Sequence, residues 1–136
     1  LAQTYPRHLY EVIVVDDGST DETEEALKPL LAEINYYKQA NRGPAAARNL
    51  GIAHAKGEIV AFTDDDCVVP PNWIEALVDG FRRHPNVVGV GGYIEADEQV
   101  LKTNIFAQYE SYTVHKFRNP ITEEMIFDVT PPHWHK

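Results

Sequence analysis

Val12-Ile13-Val14-Val15 is a run of β-branched residues without polar alternation, and it stops at Asp16-Asp17-Gly18-Ser19. A strand that is apolar on both sides is covered on both faces, as in a parallel sheet with helices above and below. A second apolar run, Glu58-Ile59-Val60-Ala61-Phe62, ends in the same manner at Thr63-Asp64-Asp65-Asp66. Two such strands deliver carboxylates to one edge of a sheet, the edge where open α/β sheets bind their ligands. Adjacent aspartates repel one another and resist joint ionisation unless a cation or hydrogen-bond donors offset them, and a divalent metal is the expected cation.

The rest of the chain alternates helix and strand signals, which specifies an α/β layered fold. Leu1-Ala2-Gln3-Thr4-Tyr5-Pro6 lacks an initiator methionine and is expected to be the last turn of a helix stopped by Pro6, with more chain before it. The first strand is expected from Tyr10 to Val15. Thr20 or Asp21 caps a helix with acidic residues in its first turns, and Pro29 kinks or restarts it. A short strand is expected at Ile34 to Lys38. Pro44 then opens a helix through Ala55, with Gly57 as its C-cap glycine. Pro70-Pro71 opens another helix, with Trp73, Ile74, Leu77, Val78 and Phe81 on one stripe, that ends at His84-Pro85. A glycine-punctuated strand follows from Val87 to Ile94. Asn104 to Phe117 reads as a helix, and the chain from Asn119 onward has no clear period. The organisation is thus an α/β core over residues 1–95, followed by an irregular or helical region over residues 96–136.

The 136 residues suit one domain with a real core. A formal charge of -9 excludes non-specific binding to nucleic acid or an anionic membrane, so an anionic ligand needs a metal or a local arginine. No apolar run approaches the ~20 residues that span a bilayer. Cys67 is the only cysteine, which precludes an internal disulfide and suits a reducing compartment. It reads as a small, half-buried residue whose thiolate the neighbouring carboxylates suppress. The expected location is the cytoplasm or the cytoplasmic face of a membrane.

Asp64 and Asp66 are hard oxygen ligands that suit Mg2+ or Mn2+, and period-two geometry directs them to one side with Asp65 on the other. Asp16 and Asp17 are either ordinary turn residues or acceptors for a base N–H or a ribose hydroxyl. The Asn41-Arg42-Gly43-Pro44 loop offers backbone N–H groups to an anion, and Arg42 or Arg48 reaches a phosphate or pairs with an aspartate. His133-Trp134-His135 supplies two imidazoles, which do not complete a metal site. His54 reads as packed or solvated.

Three segments together carry a resemblance. They are Tyr10-Glu11-Val12-Ile13-Val14-Val15-Asp16-Asp17-Gly18-Ser19-Thr20-Asp21; Asn41-Arg42-Gly43 with Ala47-Arg48-Asn49-Leu50-Gly51-Ile52-Ala53; and Lys56-Gly57-Glu58-Ile59-Val60-Ala61-Phe62-Thr63-Asp64-Asp65-Asp66. In this order and spacing the chain resembles the nucleotide-sugar-binding half of family 2 inverting glycosyltransferases with the A-type fold, over about residues 1–93. The resemblance implies a Rossmann-like nucleotide-diphospho-sugar transferase fold, an open and mostly parallel sheet with helices on both faces. It places Asp16, Asp17, Ser19, Arg42, Gly43, Arg48, Asp64 and Asp65 on the nucleotide sugar. Asp66, with Asp64, falls on the Mn2+ or Mg2+ bound to the diphosphate. It further implies a uridine diphosphate sugar as donor and a saccharide, lipid or protein acceptor. Two family elements have no counterpart in the sequence: an apolar first strand ending in Pro-x-Tyr-Asn, and a late Glu-Asp motif that carries the catalytic base. Glu123, Glu124 and Asp128 are the late acidic residues available for that role. The expectation is a fold truncated at both ends.

Three functions are open at this stage. The first is a metal-dependent glycosyltransferase donor domain that inverts the sugar. The second is an aspartate-based, Mg2+-dependent phosphotransfer domain, which needs a lysine after a later strand that this sequence does not offer. The third is a non-catalytic or truncated nucleotide-binding module.

Overall fold

The computed structural model of the protein describes residues 2–92 and 98–103. The chain divides into two compact units, Leu1–Gly91 and Gly92–Lys136. In the first unit the elements run β1 (Ile13–Asp16), α1 (Thr23–Leu27), β2 (Asn35–Lys38), α2 (Pro44–His54) and α3 (Trp73–Arg83). Of the second unit the structure describes α4, Glu98–Thr103. The helix expected over residues 104–117 and the chain after it lie outside the described residues.

β1 and β2 pair in parallel, with Ile13 opposite Asn35, Val15 opposite Tyr37 and Asp16 opposite Lys38. Side chains alternate across a strand, so Ile13, Val15 and Tyr37 share one face while Val14, Asp16, Tyr36 and Lys38 share the other. α2 covers the first face. Gly51 lies over Val15 and Ile13, and His54 in its last turn stacks on Tyr37, with ring centroids 4.0 Å apart and planes 14° from parallel. On the other face Lys38 donates to Glu24 of α1 at 3.1 Å. α2 packs against the sheet, whereas α1 meets it through this exposed ion pair, and Ile13, Val14 and Val15 stay half-buried instead of covered on both faces as their apolar run implied.

Local chemistry accounts for the helix ends. Asp21 accepts from the Thr23 amide at 3.1 Å, satisfying a donor at the start of α1. After α1 the chain tightens into a 3-10 turn, Lys28–Leu30, at Pro29, where the expected restart occurs. Pro44 occupies the first turn of α2, where its missing N–H costs nothing. α3 lacks a side-chain cap from Asn72; instead the Ile74 amide donates to Gln3 Oε1 at 3.1 Å. Gln3 also donates to the Pro70 carbonyl at 2.9 Å, and the Thr4 amide donates to Pro71 at 2.7 Å, so the first residues are stitched to the entrance of α3. Trp73, Ile74, Leu77, Val78 and Phe81 are half-buried on the stripe that the helical period assigned.

Five further sequence expectations are corrected. Residues 2–6 are not a helix tail; Pro6 instead precedes a 3-10 turn, Arg7–Leu9. The C-cap of α2 is Ala55 in an extended conformation, two residues before Gly57. No strand forms over residues 58–62, and Ile59, Val60 and Phe62 are 38%, 40% and 51% exposed. A strand exists only where a neighbour completes its ladder, and among the described residues the sheet holds β1 and β2 alone. Residues 87–92 form no strand either; there the Val90 side chain lies against Gly80 of α3. Cys67 is exposed rather than half-buried. Among the described residues no apolar side chain is fully buried, and Asp16 is the one buried polar residue.

The Asp16 side chain is 1% exposed. Its carboxylate accepts from Tyr36 Oη at 2.6 Å and from the Ser19 amide at 2.6 Å, and it pairs with Lys38 Nζ at 3.5 Å. These donors, the Tyr36 hydroxyl foremost, hold its carboxyl well below the usual carboxylate range against the opposing effect of burial. A depressed folded-state pKa contributes stability that is complete above the unfolded value and disappears as pH falls toward the folded one.

Asp16→Asn is expected to lower stability by roughly 2–3 kcal/mol at neutral pH, because the charge-assisted bonds are weakened. Urea unfolding of both proteins across pH should show this gap intact above about pH 5 and shrinking below about pH 4. The helix glycines provide a second check. A Cβ at Gly51 would sit 3.6 Å from Val15 Cγ2, an ordinary contact, whereas one at Gly80 would meet Val90 Cγ1 at 2.8 Å. Gly51→Ala should stabilise the protein by about 0.5–1 kcal/mol through helix propensity. Gly80→Ala should destabilise it by about 1–3 kcal/mol through overpacking, and thermal melts of the two variants should move in opposite directions.

Candidate functional site

The carboxyl end of β1 and the amino end of α2 meet at Asp17. Its Oδ1 accepts from Gln39 Nε2 at 2.6 Å and from the Arg42 amide at 2.9 Å, while Oδ2 accepts from the Gly43 amide at 2.7 Å. The Gln39 bond is the largest of the influences that hold the Asp17 carboxyl below the ordinary range. The amides expected to cradle an external anion at the start of α2 are thus directed at the chain's own carboxylate. Asp17 is half-buried, and a carboxylate has about four acceptor positions, of which these bonds use two on Oδ1 and one on Oδ2.

Glycines make this junction possible. Gly18 has φ +84° and Gly43 has φ +88°, both in the region that side chains disfavour. At Gly18 the restriction is also steric, since a Cβ there would lie 2.7 Å from the Asn41 amide nitrogen. The Asp16-Asp17-Gly18-Ser19 turn and the Asn41-Arg42-Gly43 loop are therefore packed backbone to backbone.

The structure separates the neighbouring aspartates. Asp16 is enclosed by Tyr36, Lys38 and the Ser19 amide. Asp17 is turned toward the loop and retains an acceptor position. The alternation of a strand accounts for the difference, because consecutive side chains leave opposite faces.

The second acidic segment stands on a turn. The Cys67 amide donates to the Asp64 carbonyl at 3.2 Å, closing a β-turn with Asp65 and Asp66 at its centre. All three aspartates are exposed. Arg48, one turn into α2, donates to Asp64 Oδ1 at 3.0 Å, with side chains 51% and 65% exposed. A pair this open contributes little to stability, ~0–1 kcal/mol, and its consequence is placement of Asp64 beside α2. Among the described residues no three His, Cys, Asp or Glu side chains gather closely enough to hold a metal ion. The donor chemistry of Asp64 and Asp66 nonetheless fits a hard cation whose remaining ligands come from elsewhere, such as phosphate oxygens.

Gln39, Tyr36 and Lys38 organise the aspartates, and sequence reasoning passed over them. The available signal was positional: β2 ends at the same sheet edge as β1, so a polar residue just beyond it faces the same site. Glu123, Glu124, Asp128, His133 and His135 lie outside the described residues. A cleft of about 260 Å3 lined by Arg7, Glu11, Val12, Glu33 and Asn35 lies at the amino ends of the strands, the edge opposite these aspartates.

Comparison with known proteins gives this arrangement a family. The glucosyl-dolichyl phosphate glucuronosyltransferase of Haloferax volcanii is 32% identical over 111 residues, 79% of this chain and 35% of that protein. Glycosyltransferase GlyG of Streptococcus pneumoniae is 39% identical over 102 residues, 72% of this chain and 33% of that protein. Glycosyltransferase AglE of Haloferax volcanii is 40% identical over 98 residues, 69% of this chain and 32% of that protein. The chain spans about a third of the length of these curated relatives. The profile described as glycosyl transferase family 2 matches residues 1–134, which takes in all three acidic and glycine segments, and the chain belongs to that family.

Proposed function

We propose that this chain forms the donor side of a sugar-transfer site, binding a nucleoside-diphosphate sugar at the carboxyl ends of β1 and β2. The observation that carries the reading is Asp17, a half-buried carboxylate fixed by three donors with acceptor capacity remaining on Oδ2. A base N–H or ribose hydroxyl fills that position. Asp16, already enclosed, acts on the nucleoside only by holding the turn that presents Asp17. Uridine diphosphate is the leaving group that the family resemblance favours, and the acceptor is a saccharide, lipid or protein.

Asp66, with Asp64, would hold Mn2+ or Mg2+, and the diphosphate oxygens would complete the shell that two carboxylates leave open. When bound, such an ion offsets negative charge growing on the leaving diphosphate. Arg48 supports this by keeping Asp64 beside α2, with Asp64 and Asp65 toward the ribose. In the inverting reaction an acceptor oxygen attacks the anomeric carbon opposite the diphosphate, and a base outside the described residues takes its proton.

Calorimetric titration of uridine diphosphate, with and without manganese, checks the assignment. Asp66→Ala should abolish the gain in affinity from manganese and leave metal-free binding unchanged. Asp17→Ala should weaken binding under both conditions by about 1–3 kcal/mol, the cost of an unpaired buried donor. Loss of only the manganese-dependent part in Asp17→Ala would overturn its role. Hydrolysis of the uridine diphosphate sugar then distinguishes an enzyme from a nucleotide-binding module, which would bind without turnover.

A further inference from the structure

The reading above assigns Asp17 to the nucleoside, and the structure shows what aims it. The β1–β2 ladder continues one residue beyond β2, because the Gln39 amide donates to the Asp16 carbonyl at 2.9 Å. Extending the register in which Asp16 faces Lys38 sets Asp17 across from Gln39, with both side chains on one face. The Gln39 side-chain amide then donates to Asp17 Oδ1 at 2.6 Å. Gln39 thus holds the main chain at one aspartate and the side chain at the next.

The distribution of donors over the two oxygens matters. Oδ1 is filled by Gln39 and Arg42, and Oδ2 takes only the Gly43 amide among these bonds. The two loop amides approach from the start of α2, whereas Gln39 approaches from the end of β2. The two loop amides, one on each oxygen, fix the rotation of the carboxylate but tie it to the loop alone. Gln39 ties the same group to the end of β2, so its position is set against the sheet as well.

We propose that Gln39 is a positioning residue for nucleoside recognition: its side-chain amide ties the Asp17 carboxylate to the end of β2 and thereby fixes where the open Oδ2 position faces the nucleoside. This inference rests on the assignment of Asp17 to the nucleoside, and the experiment separates the two. Uridine diphosphate and inorganic pyrophosphate, each with manganese, are titrated into the full chain carrying Gln39→Met, Gln39→Glu, Asp17→Ala or Asp17→Ala with Gln39→Met. Methionine keeps the length and removes the donor; glutamate keeps the shape and places like charge beside Asp17.

Gln39→Met should weaken uridine diphosphate binding about tenfold, as expected for loss of a bond to a charged acceptor, and Gln39→Glu should weaken it further. Pyrophosphate, which has no nucleoside, should bind all variants equally. In the Asp17→Ala background Gln39→Met should change nothing, giving full coupling in the double-mutant cycle. Equal weakening of both ligands, additive effects in the cycle, or a Gln39→Glu protein that binds like wild type would overturn the role of Gln39 while leaving that of Asp17 intact. Unchanged binding by Asp17→Ala alone would remove the underlying assignment and this inference with it. Should Gln39→Met unfold, the near-isosteric Gln39→Glu carries the same comparison.

Discussion

A carboxylate almost withdrawn from water remains ionised only where donors replace the water, and for Asp16 those donors come from two places in the chain. Tyr36 and Lys38 belong to β2, and Ser19 to the turn after β1. Satisfying this one group therefore sets the β1–β2 register and closes the turn, and Lys38 extends the connection to α1 through Glu24. In a unit whose described apolar side chains are all partly exposed, such a network does work that a dry core would otherwise share.

That anchoring gives Asp17 its different character. The sequence repeats one residue type, but the pleat sends the second carboxylate to the opposite face, where the start of α2 supplies backbone amides and Gln39 a side-chain amide. One aspartate is consumed by structure, and the next is oriented with capacity to spare. The positive φ of Gly18 and Gly43 permits the backbone approach between the two loops on which this arrangement depends.

α2 links Asp17 to the acidic turn. The amide of its N-cap residue, Gly43, serves Asp17, and Arg48 one turn later holds Asp64. A single helix therefore spaces Asp17 and the acidic turn. The acidic turn itself is open and held by one exposed ion pair.

Sequence alone determined the α/β class, the parallel pairing implied by the doubly apolar Val12–Val15 run, the α2 start at Pro44, the apolar stripe of α3 and the family. Each depends on local periodicity, on proline and glycine geometry, or on spacing between motifs, and these are written along the chain. Tertiary structure decided what depends on neighbours. It left residues 58–62 without a strand, because a ladder needs a partner whatever the β propensity of its residues. It put Gln3 at the start of α3 and Gln39 beside Asp17, contacts that follow from strand register and chain packing rather than from either residue's type. Above all it distinguished Asp16 from Asp17, since burial and donor supply are properties of the folded surroundings and two adjacent aspartates are identical until those surroundings exist.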